Sequence, residues 1–215
     1  MVELRDPAEA GDAFDLLSKS PGHPEPYERV DPARRETVRA ALEKHGLSGR
    51  DFAQTETWAL ALMLAQAATS EATSDYGIDR AVIAAAGDKP IIELEGGKAQ
   101  LAIFDALPEA EQADLLEAIA AESLRPESKR VDLAGAWRDG NIEVVAEGMA
   151  SGMLADPELR EALLVSRNSA WVERILAELR KARKPFVAVG TAHLVGPDGL
   201  PAMLRAQGFE VRRLQ

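Results

Sequence analysis

Apolar residues recur along this chain in two rhythms. Over residues 32–45, Val38, Ala41 and Leu42 share the spacing of one helical face, and Gly46 offers a stop. The next helix runs from Trp58 through Leu60, Leu62 and Met63 to about residue 70, with Asp51 or Thr55 as its cap. Asp79 stands where an N-cap belongs, ahead of the apolar run 81–86, and Gly87-Asp88-Lys89-Pro90 stops that helix. Gln100, Leu101, Ile103 and Phe104 open another, and helical segments continue with breaks at Pro108, Pro126, Gly140 and Pro157. Over residues 167–182, Trp171, Ile175, Leu176 and Leu179 fall on one stripe.

The second rhythm is the short continuous apolar run. Residues 91–94 and 186–189 each read as a buried strand, and each runs directly into a turn and a helix. Residues 1–5 read as a further short strand and residues 209–214 as a closing one, after a last helix over 199–206 stopped by Gly208. Strand–turn–helix units of this kind predict a helix-rich α/β fold with a small, mainly parallel central sheet flanked by many helices. Between them, residues 6–34 carry Pro, Gly, Asp and Ser at loop density; Pro21, Pro24 and Pro26 argue against a long helix there, with one apolar patch at Phe14, Leu16 and Leu17. The expectation is one domain over residues 1–215, with a helical insertion over roughly 30–85. Because Met1-Val2-Glu3-Leu4 opens directly in a strand, a preceding segment is expected, and the domain is expected to be N-terminally incomplete.

Composition narrows the function. A formal charge of −11 argues against nucleic acid, which needs a basic face, and against anionic membrane surfaces. The chain has no cysteine, which rules out disulfides, thiolate zinc sites and a Cys nucleophile. No stretch reaches the ~18–20 apolar residues of a membrane span. Trp58, Trp137 and Trp171 are expected in the core.

In an open α/β sheet, ligands bind beyond the carboxyl ends of the strands. The polar residues that end the apolar runs are Glu3, Glu95 and His193. One imidazole with carboxylates suits Mn, Co, Zn or Fe better than Mg. Each residue also has a plain structural alternative. His193, after Gly190 on a loop kept small by Gly196 and Gly199, is either a ligand or acid/base group, or a cap on the loop backbone. Glu95 competes with Glu93, and either ends a site or caps the helix that follows. Glu3 is either a ligand or the charged end of a short strand. Arg167 at a helix start opposes the helix dipole, which suggests pairing with Glu3 or Glu95, or a substrate carboxylate; the alternative is an interhelical salt bridge. Asn168 is read as that helix's cap. Asp79 is either an N-cap or faces the site. His23 in the Pro-rich loop and His45 near a helix end are expected to be structural or exposed.

The stretch Phe186-Val-Ala-Val-Gly-Thr-Ala-His-Leu-Val-Gly-Pro-Asp-Gly-Leu200, followed by Leu204 and Gly208-Phe209-Glu-Val211, resembles the C-terminal signature of TraB/GumN proteins. Tyr76-Gly-Ile-Asp79, Leu94-Glu95 with Gln100, Arg167-Asn168 with Trp171, and the opening Val2-Glu3-Leu4 occur in the family's order. The resemblance spans nearly the whole chain. It implies an EreA/ChaN-like fold and a metal-dependent peptidase site of the Tiki type, built from two Gly-x-x-His motifs, a glutamate and an arginine. Gly190–His193 matches the second motif, Glu3 the glutamate and Arg167 the arginine; the first motif is expected ahead of Glu3.

On this resemblance Glu3 and His193 hold a divalent metal (Mn, Co or Zn), Glu95 and Arg167 are catalytic, and Gly190, Asp79, Asn168 and Gln100 line the site. The substrate is a peptide or protein. The alternative is a non-catalytic peptide-binding or regulatory domain that has lost the first motif, with a homodimer covering an exposed sheet edge. Haem or iron handling, with His193 as axial ligand, is a more distant analogy with ChaN-like proteins. With an upstream signal the protein would be periplasmic, secreted or a lipoprotein; without one, cytoplasmic.

Overall fold

The computed structural model describes residues 1–3, 5–48, 50–69, 78–181 and 183–214, and the side chains of all of these but Pro7, Ile78 and Asp79. Eleven α-helices lie among them: α1 Pro7–Leu17, α2 Arg35–Lys44, α3 Thr57–Ala68, α4 Ile78–Ala86, α5 Gly97–Asp105, α6 Glu109–Leu124, α7 Leu133–Arg138, α8 Ile142–Met149, α9 Pro157–Arg160, α10 Ser166–Arg180 and α11 Leu200–Ala206. None is long and apolar enough to cross a membrane. The chain divides into two compact units, one of Asp6–Gly77 and Gly96–Arg130, the other of Met1–Arg5, Ile78–Glu95 and Val131–Gln215.

The first unit is helix on helix. α3 is apolar on nearly every side, and Trp58, Ala59, Leu60, Ala61 and Leu64 are all fully buried. It packs on α6 through Leu115, Leu116 and Ala120, and α2 adds Val38, Ala41 and Leu42. Each large apolar side chain removed from water in this way contributes roughly 1.5–3 kcal/mol. α3 has no side-chain cap of its own. Neither Asp51 nor Thr55 reaches it, because the helix starts at Thr57 and Asp51 instead accepts from Ala53 N. Gln112 of α6 does the capping, accepting from Trp58 N at 3.1 Å while its amide donates to Leu107 O at 2.9 Å.

α1 corrects the loop expected there. Asp6 accepts from Ala8 N, Pro7 takes the first helical turn where its missing N–H costs nothing, and the helix ends before Pro21. Phe14 meets Trp58 edge-on at 5.6 Å. α1 and α5 come so close that a Cβ on Gly97 would stand 2.7 Å from Ala10 Cβ.

The other unit is where a mainly parallel central sheet was expected, and that expectation is overturned. Among the described residues there is no strand and no sheet. Residues 1–3, 91–94 and 186–189 do run side by side, but they pair through isolated parallel bridges, Val2 with Glu93 and Val2 with Ala188. Val2 N donates to Ile92 O at 3.0 Å, Leu94 N to Val2 O at 2.7 Å and Ala188 N to Met1 O at 2.9 Å. A strand needs successive pairs, and here each pairing is one bridge long. The apolar runs reported burial more than ladder formation: Leu94 is buried, Ile91 and Ile92 half-buried, and Phe186 exposed. Residues 209–214 form no closing strand and are mostly exposed, although Gly208, at φ +87°, ends α11 as expected.

Leu94, Trp171, Val172, Ile175, Leu176 and Leu200 form the core of this unit, with Met1, Val187, Val189 and Met203 packed against it. The stripe on α10 therefore covers the three bridged segments, and α11 closes it. Trp171 is buried as expected. Trp137 is not: it is 60 % exposed on α7, a helix too short to bury a whole face.

Candidate functional site

α9 and α10 are one helical run. Arg160, Glu161, Val165 and Ser166 all hold right-handed helical angles, and residues Glu161–Val165 between them form a π-helical turn in which Ser166 N–H bonds Glu161 O, five residues back. Arg167 is therefore inside a helix. The conflict with the helix dipole expected at this position does not arise, and Asn168 is not a cap. The run starts at Pro157, capped by Asp156, which accepts from Glu158 N and Leu159 N.

Arg167, Asn168 and Trp171 lie within one turn of α10, so positions three and four apart share a face. The Arg167 guanidinium sits over the Trp171 ring at 4.8 Å. Asn168 is fully buried. Its amide donates to Asp198 O at 2.7 Å, and its carbonyl then faces His193 Nδ1 at 2.6 Å. Asp198 is itself gripped by Arg160, whose Nη2 and Nε approach its Oδ2 at 2.8 and 3.1 Å.

His193 rides on a short 3-10 turn, Thr191–Leu194, closed by its own N–H on Gly190 O at 3.0 Å. Gly190 itself has φ −58°, open to any residue. A Cβ there would lie 3.4 Å from Glu3 Oε1, so the turn leaves room for the carboxylate rather than demanding glycine's conformational freedom. Gly199, by contrast, is required: a Cβ would stand 2.7 Å from Val195 O.

The carboxylates gather on Arg167. Its Nη2 and Nε bond Glu95 Oε2 at 2.8 and 3.0 Å, Nη2 reaches Glu3 Oε2 at 3.3 Å, and Nη1 donates to Leu163 O at 3.0 Å. Glu3 Oε1 accepts from Gly190 N at 2.5 Å. His193 Nε2 lies 3.5 Å from Arg167 Nη1. Glu93, the rival of Glu95, points elsewhere and accepts from Arg5 N at 2.6 Å.

The imidazole is neutral at ordinary pH. Burial, and then the Arg167 charge beside it, push the His193 pKa from 6.5 down to about 4. Since Asn168 Nδ2 donates to Asp198 O, its oxygen faces Nδ1, so Nδ1 carries the proton and Nε2 keeps its lone pair. The Trp171 ring covers the imidazole at 4.4 Å between centroids.

The structure thus brings Glu3, Glu95, Arg167, His193, Asn168 and Gly190 into one connected cluster. Gln100 lies half-buried on α5 of the other unit, and its N–H closes on Gly96 O. Asp79, expected as the cap, is instead the second residue of α4, and its side chain falls outside the described residues. Tyr76 and Gly77 also fall outside them. Of the other histidines, His23 bonds Ser20 Oγ at 2.7 Å and His45 is half-buried near the end of α2. Sequence reasoning missed Asp198 and Arg160. The Gly-Pro-Asp-Gly run at 196–199 marked a turn, but nothing local announces that the Asp198 carbonyl orients an asparagine.

For a divalent cation the donor chemistry fits: two carboxylates and an imidazole whose free nitrogen is fixed by a hydrogen bond at the other. The spacing is that of an arginine-bridged pair. Among the described residues, Glu3, Glu95 and His193 do not place three ligand atoms within 4.8 Å of one another.

A family model described as the TraB/PrgY/gumN family matches residues 1–213. The chain is 28% identical over 195 residues to the "Uncharacterized protein YbaP" of Escherichia coli (strain K12), an alignment covering 83% of this chain and 67% of that protein. The protein of the same name from Shigella flexneri matches equally. No solved structure matches.

Proposed function

The chain belongs to the TraB/PrgY/gumN family, and on that footing we propose that Glu3, Glu95, Arg167 and His193 make up the working centre of a metal-dependent hydrolase acting on peptides. The observation that carries this reading is the meeting of an unprotonated imidazole nitrogen, two carboxylates and a guanidinium in one sheltered cluster. Glu3 and His193 Nε2 are the groups that would hold a Mn, Co or Zn ion. Bound there, the ion would supply a water of lowered pKa and a polarised scissile carbonyl.

The chain's own residues divide the remaining work. Glu95 Oε2 takes both bonds from Arg167, which leaves Oε1 as the atom to accept a proton from the attacking water. Arg167 presents fixed positive charge to the oxygen on which negative charge develops. Asn168 is a positioning residue: it holds the proton at His193 Nδ1 and so keeps Nε2 available. Trp171 excludes water from one face of the imidazole.

A second reading takes the same cluster as a closed, non-catalytic peptide-binding or regulatory site. It is favoured by Arg167 Nη2, which already satisfies both Glu3 and Glu95, a fixed cation where an exchangeable one is needed. Calorimetric titration of metal-stripped protein with Mn²⁺ and Co²⁺, beside His193→Ala, separates the two. Binding in the micromolar range or tighter that His193→Ala abolishes, with cleavage of an unstructured peptide by the loaded protein, supports the hydrolase. No binding by the wild type overturns it in favour of the closed site.

A further inference from the structure

Beside the turn that carries His193 lies a cavity of about 660 Å³, within the usual size of a ligand site. The turn contributes Thr191 and Leu194 to its wall, and α7 contributes Trp137. Trp137 is 60 % exposed and Leu194 40 % exposed, so two large apolar groups stand open to solvent at one place.

The charge of this wall runs against the composition of the chain. The protein as a whole carries −11, yet Arg138, Arg205, Arg212 and Arg213 line the cavity and no Asp or Glu does. Some of these cations are engaged. Arg212 pairs with Glu210 at 2.6 Å, Arg205 donates to Val211 O at 3.3 Å and Arg213 donates to Gly140 O. Arg138, at the end of α7, is exposed, and its side chain makes no hydrogen bond or ion pair with a described residue. Backbone carbonyls satisfy only part of a guanidinium, so Arg138 and Arg205 retain paired N–H donors of the kind that grip a carboxylate.

We propose that this groove binds an acidic peptide segment anchored by a bulky apolar side chain. The apolar residue packs against Trp137 and Leu194, as aromatic anchors do at interfaces. Acidic residues on either side of it meet Arg138 and Arg205 by charge complementarity. Because Thr191 and Leu194 flank His193 on the same turn, the chain leaving the groove is carried towards the cluster of Glu95, Arg167 and His193. The inference rests on the peptidase reading for the nature of the ligand and adds to it a preferred substrate class, acidic and apolar.

The test is fluorescence anisotropy on the full chain with two labelled hexapeptides, Glu-Leu-Glu-Phe-Leu-Glu and its counterpart with lysine at each glutamate. The acidic peptide is expected to bind about tenfold or more tightly than the lysine peptide, and to weaken severalfold on raising salt to about 0.5 M. Arg138→Glu with Arg205→Glu is expected to erase or invert that preference, and Arg138→Ala alone, at an exposed site, to weaken acidic binding about threefold or more. Trp137→Ala is expected to weaken both peptides. Equal binding of the two peptides, or arginine variants that bind the acidic one like the wild type, would overturn the proposal. So would capture by phosphatidylglycerol vesicles without peptide binding, which would assign the patch to an anionic surface. His193→Ala keeps the two readings apart. Acidic-peptide preference retained in that variant supports the groove even if no hydrolysis is found, and metal-dependent cleavage without acidic preference sinks the groove alone.

Discussion

Asn168 Oδ1 accepts a hydrogen bond from His193 Nδ1 at 2.6 Å, inside a core where the asparagine has no exposed surface. The Asp198 carbonyl sets the amide's orientation, so a turn residue decides which imidazole nitrogen keeps its lone pair. In long-range ¹⁵N–¹H spectra of wild-type protein, His193 is expected to appear as the tautomer protonated at Nδ1. Asn168→Ala is expected to lose that single tautomer and to cost about 2–4 kcal/mol in chemical denaturation, since it leaves two buried polar groups unpaired. An unchanged tautomer in the variant would sink the assignment.

The same imidazole makes stability depend on pH. The unfolded chain takes up a proton on His193 near pH 6.5, whereas the folded chain does so only at about 4. A folded pKa below the unfolded one means that the unfolded state binds more protons between these values. Stability therefore falls as pH drops through this window and is unaffected above it. The loss attributable to His193 approaches roughly 3 kcal/mol at the acid end. Denaturation of chelator-treated protein between pH 7 and 4, wild type beside His193→Gln, is expected to show a shallower acid decline in the variant.

Arg167 holds two carboxylates that would otherwise face each other. Arg167→Ala is expected to destabilise the protein by about 2–4 kcal/mol, near the range for breaking a sheltered pair from one side. Arg167→Lys is expected to recover only part of this, because a point charge replaces a fork. In a double-mutant cycle with Glu95→Gln, a coupling below about 0.5 kcal/mol would mean that the ion pair is not formed in solution.

Much of this was readable from the chain and part was not. Glu3, Glu95 and His193 each follow an apolar run, and all three segments do bring their ends to one place. The amphipathic helix over residues 35–44 and the apolar helix over 57–68 are where the apolar pattern put them. What failed was the step from apolar run to strand. Burial and backbone pairing are separate properties, and residues 91–94 and 186–189 have the first in part and the second at one residue each. Pairing with Glu3 or Glu95 was one of several alternatives open for Arg167, and Arg167 does meet both, but the helix-start argument that raised it does not hold, since a π-turn continuing a helix leaves no sign in local composition.

The two glycines near His193 are expected to part company on substitution. Gly199→Ala drives a Cβ to 2.7 Å from the Val195 carbonyl, a backbone neighbour with no rotamer to yield, and should cost about 1–3 kcal/mol. Gly190→Ala meets Glu3 Oε1 at 3.4 Å and His193 Cδ2 at 3.9 Å, ordinary contacts, and should change stability by less than about 1 kcal/mol. Thermal melts of the two variants side by side check both.

The π-turn at Glu161–Val165 acts as a phase delay. One extra residue in a helix retards everything after it by about 100° of rotation. Arg160 is placed before the delay, Arg167, Asn168 and Trp171 after it, yet both sides close on the loop that carries Asp198 and His193. Removing one residue from this stretch would leave helix and composition nearly intact while turning Arg167 off the carboxylates. The aim of the cluster is thus written in chain length, as a count of residues between two anchors, and an insertion or deletion there would be more damaging than most changes of side chain.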